Sequence, residues 1–87
     1  MPYIRPSDRD EILPAILNLS AEIVTVGELN YAITKLCTGF LPVNGSISYS
    51  DYNNIIGVLE CAKLEFYRRA VATYEDKKII ENGDVYV

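Results

Sequence analysis

Six side chains near the end of the chain are of the types that hold an anionic, aromatic ligand: Tyr67, Arg68, Arg69, Tyr74, Lys77 and Lys78, within the segment EFYRRAVATYEDKK. Tyrosine faces stack on bases, and arginine forks grip phosphate oxygens bidentately. With Tyr3 and Arg5 of the N-terminal segment as a lid, these eight residues form the candidate site, suited to a nucleotide-like anion held between copies of the chain. The same residues admit a plainer reading. Tyr67 and Tyr74 would then be core or interface aromatics, and the cations would pair with Glu65, Glu75, Asp76 and a helix C-terminus.

Catalysis finds little to work with. The chain has no histidine, so acid–base chemistry would fall to carboxylates, lysine, tyrosine or cysteine. Glu60, Glu65, Glu75 and Asp76 are the candidates, and carboxylates on a helix face are ordinarily solvated charge. No glycine-rich phosphate loop or nucleophile elbow is present. Cys37 and Cys61 lack the clustered spacing of a metal site. The reading is therefore a protein with no catalytic residues, no metal and no cofactor.

The elements that would position the cluster come from 87 residues, enough for one domain, 1–87. So short a chain builds a core worth only a few kcal/mol and gains from partners. Cys37 and Cys61 fall inside apolar helical patterns and read as small core residues, so self-association is the expected supplement. A net charge of −4 argues against a duplex nucleic-acid binder. No apolar run approaches membrane-spanning length. The expectation is a soluble, cytoplasmic protein.

Residues 1–6 read as an extended arm, with Pro2 and Pro6 restricting their predecessors. Ser7 or Asp10 is the expected cap of a first helix running to about Ile23, kinked or begun at Pro14. Thr25 and Glu28 form a capping box for a second helix with Leu29, Ala32, Ile33, Leu36, Cys37 and Phe40 on one side. Tyr31 and Lys35 share a face away from that stripe and read as an exposed edge. Gly39 is the expected left-handed stop. Asn44-Gly45 supplies the turn of the next loop, and Ser48 or Ser50 caps a long third helix. That helix carries Tyr52, Ile55, Ile56, Leu59, Ala62, Phe66 and Ala70 on one stripe, with Val58, Cys61 and Leu64 off it. A helix apolar on more than one side is buried on more than one side, which points to a second protomer.

An uninterrupted helix from Asp51 to Glu81 would be about 46 Å long, so a bend is expected near Thr73. For the tail, 75–87, two readings stay open. The helix continues to about Glu81 with Asn82-Gly83 as its cap, or Ile79–Glu81 and Asp84–Val87 pair as a hairpin. The fold class expected is an all-α bundle of about three helices with an extended or hairpin C-terminal tail, homo-oligomeric.

The segments GELNYAITKLC, GVLECAKLEFYRRAVATYEDKKI and ENGDVY, with the MPYI start, resemble a family of small proteins of unknown function encoded by bacteriophages and bacteria. The likeness covers nearly the whole chain. It departs at Thr73, where the family tends to have proline before the tyrosine. The resemblance implies a phage or prophage setting and no established activity. Small oligomeric phage proteins counter bacterial immunity by sequestering nucleotide second messengers, and the aromatic–basic cluster fits that class. The alternative is a helical protein–protein interaction module that binds and inhibits a host protein.

Overall fold

The computed structural model describes residues 1–87 and contains helices and no strand. α1 spans Pro6–Glu22, α2 Val26–Phe40 and α3 Tyr49–Phe66. A π turn, Tyr67–Val71, follows α3 without interruption and leads into α4, Ala72–Asn82. The expected third helix is thus long, and its last part is α4. The chain divides into two units, Pro2–Ile55 and Ile56–Val87 with Met1.

In the first unit, α1 begins earlier than Ser7 or Asp10 would have capped it. Pro6 occupies the first helical turn and Arg5 is the cap residue, with no side-chain cap bond. Proline suits that position because its fixed φ is already helical and its missing N–H would have had no partner. The Arg5 carbonyl accepts from the amides of Asp8 (3.0 Å) and Arg9 (3.1 Å). Pro14 lies inside the helix without ending it or beginning it. α2 starts on the predicted capping box. The Glu28 amide donates to Thr25 Oγ1 at 3.1 Å, and Glu28 Oε1 accepts from the amides of Thr25 (2.8 Å) and Val24 (3.0 Å).

Gly39 is not a left-handed stop. The helix passes through it to Phe40, and Leu41 is extended at φ −65°, ψ 147°. Pro42 is the reason, because a residue before proline is driven out of helical geometry. The turn at Asn44-Gly45 has Gly45 at φ 83°. Of the two serines considered, Ser48 caps α3: its Oγ accepts from the Asp51 amide at 3.3 Å while Asp51 Oδ2 accepts from the Ser48 amide at 2.8 Å.

In the second unit the expected bend near Thr73 is replaced by the π turn. The Ala72 amide donates to the Tyr67 carbonyl, five residues back. A wider turn absorbs an extra residue while every backbone group keeps a partner, whereas a break would orphan several. Residues 79–82 are helical, so the tail takes the helical reading and the hairpin is excluded. Gly83 ends α4 at φ 89°, ψ 152°, donating its amide to the Ile79 carbonyl at 2.8 Å. Beyond it the Tyr86 amide donates to Asp84 Oδ1 at 2.8 Å, a local turn held by the aspartate.

Neither unit contains a buried residue. The expectation that Cys37 and Cys61 are core residues is corrected: Cys37 is half-buried and Cys61 exposed. Ile23, Ala32 and Leu41 are likewise only half-buried in the first unit, as are Glu65, Val71 and Ala72 in the second. The stripes read as a core are largely open, with Leu36 63%, Phe40 76%, Ile56 63% and Phe66 69% exposed. Amphipathic helices have formed, but no second layer within the unit covers their apolar sides.

Candidate ligand-binding site

The π turn and the first turns of α4 carry the six candidate residues of the C-terminal segment. The Tyr67 hydroxyl donates to Glu75 Oε1 at 2.6 Å, across eight residues. In an uninterrupted α-helix residues eight apart stand about 80° apart around the axis. The extra residue absorbed by the π turn makes them stand as residues seven apart do, about 20° from alignment. The hydrogen bond therefore reports the register of Tyr67 against Glu75 across the π turn.

Partners divide these side chains into two groups. Arg68 Nη2 meets Glu65 Oε1 at 2.8 Å, and Glu65 is the half-buried carboxylate of the segment. Lys78 Nζ meets Glu81 Oε2 at 3.1 Å and lies 5.5 Å from the centre of the Tyr74 ring. The Arg68–Glu65 pair follows the plainer sequence reading, whereas Glu81, the partner of Lys78, was not among the acids that reading named. Arg69 and Lys77 have no side-chain partner. Thr73 stands between them, with its hydroxyl donating to the Arg69 carbonyl at 3.2 Å. The hydrogen bond from Tyr67 and the charge of Glu75 raise the Tyr67 pKa above the ordinary phenol value, with smaller contributions from burial and from Tyr86.

Tyr3 and Arg5 belong to the other unit. Arg5 Nε is paired with Asp8 Oδ2 at 3.2 Å, its side chain 83% exposed. Tyr3 is half exposed and has an interaction of its own. The structure brings Tyr67, Arg68, Arg69, Tyr74, Lys77 and Lys78 onto one short stretch of helix. Tyr3 and Arg5 lie in the unit Pro2–Ile55, before and at the start of α1.

Two concavities are present, and the smaller is lined in part by the candidate residue Lys78. An open groove of about 680 Å³ runs from the end of α1 along α2, lined by Leu19, Ile23, Ala32 and Leu36, with Tyr31 and Lys35 on it. Sequence reasoning placed Tyr31 and Lys35 on a bare edge. Their four-residue spacing was the available signal, but nothing local tells that the α1 terminus would wall a groove beside them. A smaller hollow of about 300 Å³ lies between α4 and the tail, with Glu75, Lys78, Asp84 and Tyr86 around it. The Glu28 carboxylate at the mouth of the larger groove is held below its ordinary pKa. The amides of Thr25 and Val24 are the chief cause, with the Thr25 side chain contributing further. No group of carboxylates and cysteines in the structure is arranged to hold a metal, and no helix is long and apolar enough to cross a membrane.

A family model describing a domain of unknown function, DUF6899, matches residues 1–85. The chain belongs to that family. A serine–tRNA ligase of Finegoldia magna is 26% identical over 83 residues, covering 86% of this chain and 20% of the ligase. The chain thus spans about a fifth of the length of the curated relative it matches. No solved structure matches it.

Proposed function

We propose that this chain is a non-enzymatic, homo-oligomeric binding protein that holds and sequesters a nucleotide-like signalling molecule. The setting that fits is a bacteriophage protein acting inside a host cell against nucleotide-based immunity. The observation that carries the proposal is that the helices of both units form without burying a residue.

The ligand class rests on the aromatic–basic segment. Tyr74 keeps an exposed ring beside a lysine, and two cations remain without protein partners. The resemblance to small phage proteins supplies the biological setting. The ligase similarity lends no activity, because it covers a fifth of that enzyme and this chain offers no catalytic constellation.

Size-exclusion chromatography with light scattering, followed by calorimetric titration with cyclic dinucleotides and cyclic ADP-ribose-type signals, tests the proposal. A closed oligomer that binds one of these at micromolar protein, and releases it intact on denaturation, supports it. A monomer, or no heat with every ligand recovered free, sinks it. The second reading is a module that docks a host protein, and the apolar groove along α2 favours it. That reading expects one host protein in stoichiometric complex and no shift of Tm with nucleotides.

A further inference from the structure

We infer that the groove beside α2 is the surface through which two copies of the chain pair, their α2 helices antiparallel about a two-fold axis between Tyr31 and Ala32. The inference deepens the proposed function: it rests on the homo-oligomer and not on the ligand. The order of charges along one line of the helix carries it.

Glu28 and Lys35 both line the groove. α2 is unbroken α-helix over Val26–Phe40, so residues seven apart stand about 20° from alignment and roughly 10 Å apart along the axis. The line begins with an acid and ends with a base. Turned end for end, a second α2 sets its Lys35 against Glu28 and its Glu28 against Lys35, and both pairs close at once. Neither residue has a charged partner within the chain. Lys35 is the only cation between Arg9 and Lys63. Glu28 uses Oε1 to accept from the amides of Val24 and Thr25, which fixes the carboxylate and leaves Oε2 for a partner.

The flanks of that line suit the same two-fold. At about 100° per residue, Ala32 and Leu36 fall to one side of it and Tyr31 to the other. Under the two-fold each flank meets its own copy. Leu19 and Ile23 line the groove together with Ala32 and Leu36, so the apolar flanks of two copies cover one another. Ala32 is small and lets the helices approach closely. The Tyr31 rings, 67% exposed, meet across the axis on the opposite flank, where aromatic pairs gain beyond the area they bury. A host protein would have to reproduce this order of charges, whereas a second copy already carries it.

The test exchanges the charges in the full chain and follows size-exclusion with light scattering. The wild-type chain is expected to form an even-numbered assembly. Lys35→Glu sets like charges together at both contacts and is expected to weaken pairing at least roughly tenfold, and Glu28→Lys does the same with the opposite sign. Mixed one to one, the two variants restore both pairs, and the wild-type size is expected to return. Lys63→Glu makes the same change of charge at a residue outside the groove, paired to Glu60 at 3.0 Å, and is expected to leave pairing within about twofold. Glu28→Lys also removes half of the capping box, so circular dichroism checks its helicity. Glu28→Gln keeps an acceptor for the box and is expected to weaken pairing roughly fivefold and to flatten its salt dependence. A wild-type monomer, alone or with a host protein in the groove, overturns both this pairing and the proposed function. An assembly untouched by Lys35→Glu and Glu28→Gln, weakened equally by Lys63→Glu, or not recovered on mixing the folded variants overturns the pairing while sequestration stands. Pairing through the groove with no nucleotide bound supports the pairing and sinks sequestration.

Discussion

The phenol of Tyr67 is held in its protonated form by the carboxylate it donates to. Its folded pKa lies above the unfolded value, so the bond's contribution is fully present below about pH 10 and is lost as pH rises through the folded pKa. In a spectrophotometric titration one of the seven tyrosines is expected to ionise after the others, and Glu75→Gln to bring it back among them. Glu28 has the opposite sign. Its folded pKa is depressed by the amides it accepts from, so its contribution is present above the ordinary carboxylate pKa of about 4.3 and disappears as pH falls through the lower folded value. The amide signals of Val24 and Thr25 are expected to move together in that acid window. Thr25→Ala, which removes the reciprocal half of the box, is expected to cost about 1 kcal/mol in urea denaturation.

Both partners of the capping box lie within four residues, which is why that detail was legible in the sequence. The same holds for the turn at Gly45, while Ser48 and the Gly83 cap were each one of two readings that the structure decides. Partnering of the arginines was not legible. Glu65 lies three residues before Arg68 and four before Arg69, and the spacing rule allows either pair. The structure forms the first.

Among the elements, α4 ends on the backbone least tolerant of substitution. Gly83, at φ 89° and ψ 152°, occupies a region that is essentially glycine-only. Gly83→Ala is therefore expected to cost of order 1–3 kcal/mol, or to unseat the tail. Proteolysis after Asn82 together with loss of the Tyr86 environment in tyrosine fluorescence would detect it. A Cβ at Gly39 or Gly57 meets open space, and alanine at these helical positions is expected to stabilise by about 1 kcal/mol. The elements themselves were legible to within a few residues from apolar periodicity and caps. The errors came where one residue type has two roles. Gly39 read as a stop, although Pro42 sets the end of α2. Thr73 read as a bend, although the chain absorbs its extra residue a turn earlier. Nothing in the sequence of Tyr67–Val71 marks a π turn, because that turn is decided by how α3 and α4 must be phased rather than by local preference.

For the molecule as a whole, the assembly proposed above would make stability a property of concentration. Contacts between copies would stabilise by mass action, so Tm is expected to rise with protein concentration and helicity to fall on dilution. A Tm independent of concentration over about two orders of magnitude would argue for a monomer and against the assembly proposed above. The apolar stripes were legible in the sequence, and the structure leaves them largely exposed. Which surfaces meet which was beyond the sequence, since a half-open stripe such as Leu29, Ile33 and Leu36 reads the same whether its neighbour is the same chain or another.

The π turn also uncouples chain length from orientation. In an ordinary helix, deleting one residue turns everything downstream by about 100°, which scrambles any surface built across the deletion. Here the turn carries one residue of slack. Removing Ala70 from it is expected to yield an unbroken α-helix in which the phenol of Tyr67 still finds Glu75, so its late ionisation survives. The same deletion made inside α4, at Asp76, turns everything beyond it by about 100°. Two chains of equal length would then differ in whether one face of the helix remains whole.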